Sequence, residues 1–190
     1  MRSKICGIKD SKTLKYLTNH NHSPSYIGFI INYPKSRRFI EFKNIENLIK
    51  IKRKKSKYVA VMVKPDIKFL NSIKSFNFDY YQLYGVGPKK TNFIKKKYNK
   101  KIISAITIEK FKDVRKYKHY MNISEIILFD SKGYEKSMGF DHSFLKNIPN
   151  NFTKMLAGNI RYNDKLDKFK KMTDIIDLSG SLETSGVKDV

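Results

Sequence analysis

"YVAVMVKPDIKFLNSIK", residues 58–74, joins two patterns whose alternation decides the fold. Residues 58–63 form an unbroken, β-branched apolar run, the pattern of a strand buried on both faces. Asp66 then stands where a helix N-cap belongs, and Ile67, Leu70 and Ile73 follow at helical spacing. A strand followed by a helix is the repeating half of a parallel βαβ unit.

The same alternation runs the length of the chain. "KICGI" (4–8), "YIGFII" (26–31), "YYQLYG" (80–85), "KIISAIT" (101–107), "SEIILFD" (124–130), "TKMLAG" (153–158) and "DIIDLS" (174–179) bring the apolar runs to eight, 21–32 residues apart. Lysine-rich stretches between them carry apolar residues at helical spacing: Ile45, Leu48 and Ile49, then Phe93 and Ile94, then Leu166 and Phe169. Asp10 and Asp164, like Asp66, stand at N-cap or first-turn positions. Eight such units predict an α/β chain closed into a (β/α)8 TIM barrel, one domain over residues 1–190. The rival, an open doubly wound sheet, usually carries G-x-G-x-x-G at its first turn, and "CGIKDSK" lacks it. The eighth run ends near Ser179, close to Val190, so the eighth helix is expected to be short or missing. That would bare an apolar groove outside strands 8 and 1, which leaves a monomer and a homodimer both open.

Composition narrows the function. Hydrophobic residues make up 40% of the chain and aromatics 13%, enough for a packed core despite a net charge of +23. Lysine supplies 34 of the 40 basic residues and is spread over every segment, with modest clusters at "IKRKKSK" (51–57) and "IKKKYNKK" (94–101). Such a spread reads as solvated helix faces, and no specific nucleic-acid partner is expected. No apolar run approaches the ~18 residues of a membrane span, and no signal peptide precedes the first run. Cys6 is the only cysteine, which fits a reducing cytoplasm. His20, His22, His119 and His142 lack zinc-like partners, so neither a metal nor a cofactor is expected.

In a barrel of this kind functional groups gather at the carboxyl ends of the strands. Those ends read Cys6–Gly7, "NYPKSRR" (32–38), Val63–Lys64, "QLYG" (82–85), Thr107, Asp130, "LAGN" (156–159) and "LSGSLETSG" (178–186). Cys6 and Asp130 are ionisable groups ending apolar strands. Small residues crowd the ends of strands 7 and 8, where backbone N–H groups commonly bind phosphate in this fold. Arg38 could hold a carboxylate in its fork. Each also has a plainer role open to it: a packed thiol, a loop cap, turn glycines, a surface cation.

Taken in order, "KICGI", "GFIINYPKSRRFI", "ILFDS", "LAGN" and "DLSGSLETSGVKD" resemble the phosphoribosylanthranilate isomerase family, (β/α)8 enzymes of tryptophan biosynthesis. That family reads K-I-C-G at strand 1, Y-P-K-S-P-R after strand 2 and L-A-G-G after strand 7. An S-S-G-V-E stretch and a G-V-K-D follow its strand 8. The resemblance implies an Amadori rearrangement of a phosphorylated ribosyl anthranilate, with Cys6 as general base and Asp130 as general acid. It further implies that Arg38 grips the anthranilate carboxylate and that Gly158, Asn159, Ser179, Gly180 and Ser181 cradle the phosphate. Strands 1 and 6 lie three apart, roughly 14 Å between backbones at ~4.8 Å per strand, so inward side chains could flank a ribose. The chemistry asks for a partly ionised thiol, held low by positive neighbours, and a carboxyl kept protonated by apolar surroundings.

Four positions depart from the family pattern. "QLYG" puts Tyr84 where Q-L-H-G is usual, Asn159 replaces a glycine, and "SGSLE" stands for S-S-G-V-E. After strand 6, "GYEKSMGFDH" (133–142) keeps only Gly139, Phe140 and Asp141 of a glycine-rich segment. Two other readings therefore stay open: a barrel acting on another sugar phosphate, and a non-catalytic basic barrel that binds anions or nucleic acid.

Overall fold

A computed structural model describes residues 1–132 and 139–189. Eight parallel strands close into a barrel in sequence order: β1 (Arg2–Cys6), β2 (Tyr26–Ile30), β3 (Lys57–Val63), β4 (Tyr80–Tyr84), β5 (Lys101–Ile108), β6 (Ile126–Ser131), β7 (Thr153–Leu156) and β8 (Ile175–Leu178). β8 pairs with β1 to shut the ring. Each of the eight apolar runs is a strand.

Helices α1 (Ser11–Asn19), α2 (Phe42–Ile49), α3 (Ile67–Ser72) and α4 (Pro88–Tyr98) follow the first four strands. Asp10 and Asp66 cap α1 and α3, their carboxylates accepting from the backbone N–H of Thr13 and Phe69. The covering shortens in the second half: α5 (Phe111–Val114) runs into a 3-10 turn at Arg115–His119, a 3-10 turn at His142–Leu145 precedes β7, and α6 (Asp167–Lys170) is a single turn. Asp164 does not cap α6, because the helix starts three residues later. Its carboxylate accepts from the Arg161 N–H and pairs with Lys168 instead. Among the described residues no α-helix follows β8. A 3-10 turn (Gly180–Leu182) leads into a short hairpin, β9 (Glu183–Thr184) with β10 (Val187–Lys188).

Two apolar layers result from the two-residue alternation of the strands. Outward residues such as Ile27, Phe29, Ala60, Met62, Ile127, Phe129 and Leu156 pack under the helices. Inward residues Val59, Val61, Ile103, Ile126, Leu128, Met155 and Ile175 fill the barrel. Charge intrudes in one place. Lys4 and Asp177 are cross-strand neighbours on β1 and β8, and Lys4 Nζ lies 2.7 Å from Asp177 Oδ2 with both side chains buried. Burial alone would strip Lys4 of its proton, but Asp177 and Cys6 beside it reverse that and raise its pKa.

Removing one partner of such a pair leaves an uncompensated buried charge. Asp177→Ala is expected to lower unfolding free energy by about 3–5 kcal/mol in urea titrations. Lys4→Met combined with Asp177→Leu should recover most of that loss.

Candidate active site

The carboxyl end of the barrel is where polar side chains replace the apolar filling. Alternation puts Cys6 on the same inward face as Lys4, one layer nearer the rim, and opposite Gly28 of β2. A Cβ at Gly28 would fall 2.8 Å from Cys6 Sγ and 3.1 Å from Lys4 Nζ. The missing side chain of Gly28 therefore creates the niche in which thiol and ammonium meet. Cys6 is buried, at 8% exposure.

Burial drives the Cys6 thiol upward, Lys4 pulls it back, and the balance stays raised. The sequence had suggested that positive neighbours would lower it. Lys4 is such a neighbour, but desolvation outweighs it.

Asp130 ends β6 on the inward face, three strands round from Cys6. Its Oδ2 accepts from the Tyr84 hydroxyl at 2.7 Å and its Oδ1 from the Ser131 N–H at 2.8 Å. Desolvation by the packed interior raises its pKa to about 6; the Tyr84 bond pulls down and Asp177 pushes up. The charges of Lys4 and Asp177 thus act on both Cys6 and Asp130.

Arg38, in the loop after β2, lies across the mouth between Gly7 and Gly180. A Cβ at either glycine would come within 3.0 Å of its side chain, and Gly7 holds φ +83°. Its Nε and Nη2 donate to the two oxygens of Glu183 at 2.6 and 2.7 Å. Glu183 also pairs with buried Lys188, whose Nζ donates to the Ser179 carbonyl at 3.0 Å. Ser179 Oγ in turn donates to the Cys6 carbonyl at 3.1 Å, which ties the β8 loop to the end of β1.

Gly158 and Asn159 follow β7 with φ +92° and +55°, so Asn159 takes up the left-handed conformation expected of a glycine substitute. Among the described residues, no backbone N–H of Gly158, Asn159, Gly180 or Ser181 donates to a backbone carbonyl. Ser181 Oγ is buried with no hydrogen-bond partner among the described residues. The β7 and β8 loops, on adjacent strands, therefore present backbone donors that no described backbone carbonyl takes up.

The residues singled out from sequence all stand at this one end of the barrel. Residues 133–138 of the altered loop after β6 lie outside the described residues; Gly139 onward returns, with the His142 ring 2.9 Å from the Gly158 carbonyl. Sequence reading missed Lys4, Asp177, Gly28, Gln82, Glu183 and Lys188 as members of the site. The two-residue alternation could have flagged Lys4 as facing the same way as Cys6. The described residues contain no cluster suited to a metal ion and no helix long and apolar enough to cross a membrane.

Comparison with known proteins gives this arrangement a family. The model described as "PRAI: N-(5'phosphoribosyl)anthranilate (PRA) isomerase" matches residues 3–190. The chain belongs to the phosphoribosylanthranilate isomerase family. An N-(5'-phosphoribosyl)anthranilate isomerase from Agrobacterium fabrum is 30% identical over 198 residues, covering 98% of this chain and 89% of that protein. The crystal structure of the Thermotoga maritima phosphoribosyl anthranilate isomerase superposes with a TM-score of 0.84 at 22% identity, over 100% of this chain and 93% of that one. A crystal structure of phosphoribosyl anthranilate isomerase in complex with reduced 1-(o-carboxyphenylamino)-1-deoxyribulose 5-phosphate gives 0.82 at 21% identity, over 100% of this chain and 92% of the other. At those identities the two structures speak for the fold, and the family match speaks for the isomerase.

Gly28→Ala tests the niche in this isomerase barrel. The added methyl must displace the Cys6 sulfur or the Lys4 head, and a loss of about 1–3 kcal/mol of stability is expected in urea denaturation.

Proposed function

We propose that the chain converts N-(5'-phosphoribosyl)anthranilate into 1-(2-carboxyphenylamino)-1-deoxyribulose 5-phosphate in tryptophan biosynthesis, with Asp130 as acid and Cys6 as base. One observation carries the assignment of roles: a thiol and a carboxyl both face inward at the carboxyl end of the barrel, three strands apart.

The reaction divides between the two groups. Asp130 gives its proton to the ribose ring oxygen as the bond from that oxygen to C1 breaks, and the anthranilate nitrogen's lone pair forms the C1=N iminium. Cys6 thiolate then removes the C2 proton, and the C–H electrons become the C1=C2 bond of an enolamine. Protonation at C1 and loss of the C2 hydroxyl proton complete the aminoketose. The enzyme is left with a protonated thiol and an ionised carboxyl, so one proton returns from Cys6 to Asp130 before the next turnover.

Binding follows from the charged ends of the substrate. Glu183 occupies Nε and Nη2 of Arg38 and orients its guanidinium, leaving the Nη1 edge for the anthranilate carboxylate. The N–H groups of Gly158, Asn159, Gly180 and Ser181, which no described backbone carbonyl takes up, together with Ser179 between β8 and the 3-10 turn, suit the phosphate.

Cys6→Ala and Asp130→Ala should each cut turnover by about 10²–10⁴-fold, followed as loss of phosphoribosylanthranilate fluorescence. A Cys6→Ala protein with unchanged kinetics would end the assignment.

The pH dependence has a definite sign. Below about pH 6 both groups are protonated and no thiolate exists; above the raised thiol pKa both are ionised and no acid remains. Between those limits the pair carries one proton, and the form with thiolate and neutral carboxyl reacts. Turnover should rise through the weakly acidic range, hold across neutrality and fall in the alkaline range. The quantity to follow is kcat, because the free substrate's phosphate itself titrates near pH 6. A kcat that declines monotonically from pH 5 upward would contradict a thiolate base.

A further inference from the structure

The Tyr84 that replaces the family's usual histidine sits in a hydrogen-bond chain with one end unfinished. Gln82 and Tyr84 both face inward from β4, one layer apart, and both are buried. Gln82 Nε2 donates to the Tyr84 hydroxyl at 3.2 Å, and that hydroxyl donates to Asp130 Oδ2 at 2.7 Å. Gln82 Oε1 is buried with no hydrogen-bond partner among the described residues. A fully buried amide oxygen left without a donor is a destabilising feature that calls for a partner.

The chain as it stands fits an ionised Asp130, and a neutral one only when the proton sits on Oδ1, which already accepts from the Ser131 N–H. Tyr84 donates, and a carboxylate has no proton of its own to offer. A protonated Asp130 reverses the requirement at Oδ2, since a carboxylic O–H there needs an acceptor. Tyr84 can accept that proton only if its own hydroxyl turns elsewhere. Half a turn of the Gln82 amide would present Oε1 to it, converting the unfinished end into the acceptor that the reversed chain needs.

We propose that Gln82 and Tyr84 form a reversible hydrogen-bond relay that holds the Asp130 carboxyl in one place in both of its protonation states. The role proposed for Asp130 gives the relay its purpose, so the inference rests on that reading. Tyr84 is then a positioning residue: it acts through Asp130. In the ionised state Ser131 N–H and Tyr84 clamp the two oxygens; in the neutral state, before the proton is given to a substrate, the chain runs Asp130 to Tyr84 to Gln82. Among the described residues, the other charged groups that act on the carboxyl are Asp177 from β8 and Lys4 from β1. Neither is moved by changing Tyr84. Loss of the Tyr84 donor removes support from the ionised carboxyl, so the Asp130 pKa should move further up.

The test is a titration of the substrate-free protein carrying ¹³C at aspartate Cγ and tyrosine Cζ, with Asp130→Asn used to assign the Asp130 signal. Tyr84→Phe should shift the Asp130 midpoint upward by about one pH unit. A midpoint that stays put overturns the relay. In the unsubstituted protein the Tyr84 Cζ signal should move with the Asp130 midpoint, and Asp130→Asn should abolish that movement. This second measurement decides the matter if Tyr84→Phe does not fold, and a Tyr84 signal indifferent to Asp130 overturns the relay. Full turnover in Asp130→Asn would instead defeat the acid assignment, whatever the titrations show.

Discussion

The Lys4–Asp177 ion pair is the constraint on which the rest depends. It joins the first strand to the last at a point where their residues are paired, so the contact that closes the ring also places two charges inside it. Buried charges are tolerated only when they are paired, and here the pairing is oriented. Lys4 is the charged neighbour that acts most strongly on Cys6, and it lowers that thiol's pKa; for Asp130 the stronger member is Asp177, which raises it. The pair therefore acts as a dipole whose ammonium weighs more on the thiol and whose carboxylate weighs more on the carboxyl. Both effects favour the thiolate and the neutral acid, the form the proposed mechanism requires.

Desolvation acts on the same two groups without regard to that purpose. Burial raises Cys6 and Asp130 alike, and in the empty site it leaves the proton mainly on the thiol. What burial provides is a narrow count: across neutrality the pair holds one proton. The dipole then needs only to move that proton from one member to the other. The interior packing makes room for this arrangement by thinning toward the rim, where Gly28, Ala105 and Ala157 take the inward positions and larger residues such as Ile103, Ile126 and Met155 fill the layer below.

How much of this was legible in the sequence follows from what kind of signal each feature leaves. The strands were legible because full burial on both faces writes continuous apolar runs, and all eight stand within about two residues of where those runs begin. The covering helices after β5 and β7 were less so. Leu166 and Phe169 have helical spacing, yet only one turn forms, and Asp164 serves a turn at Arg161 rather than the helix start. Cys6, Asp130 and Arg38 could be named because they are chemically conspicuous at strand ends. Lys4 was harder to name, because a chain with 40 basic residues hides one functional lysine among many and only its alternation with Cys6 marks it. Its partner Asp177 emerges from pairing across the ring, which brings residues 4 and 177 side by side.

The hairpin after β8 shows why the mouth is held as firmly as the interior. Glu183 receives both Arg38 and Lys188, and Lys188 holds the Ser179 carbonyl while Ser179 holds the carbonyl of Cys6. One run of contacts thus links the β2 loop, the β8 loop and the last residue of β1. A substrate with a carboxylate at one end and a phosphate at the other would meet that run at two points. In the binding mode proposed above, Arg38 takes the first and the β8 turn the second, so the distance between the two anchors would be set by side chains that also fix the backbone of Cys6. With the ends of the substrate held, the reacting carbons have little freedom to choose their position between thiol and carboxyl, and orientation of this kind supplies much of what a reaction between two fixed groups needs.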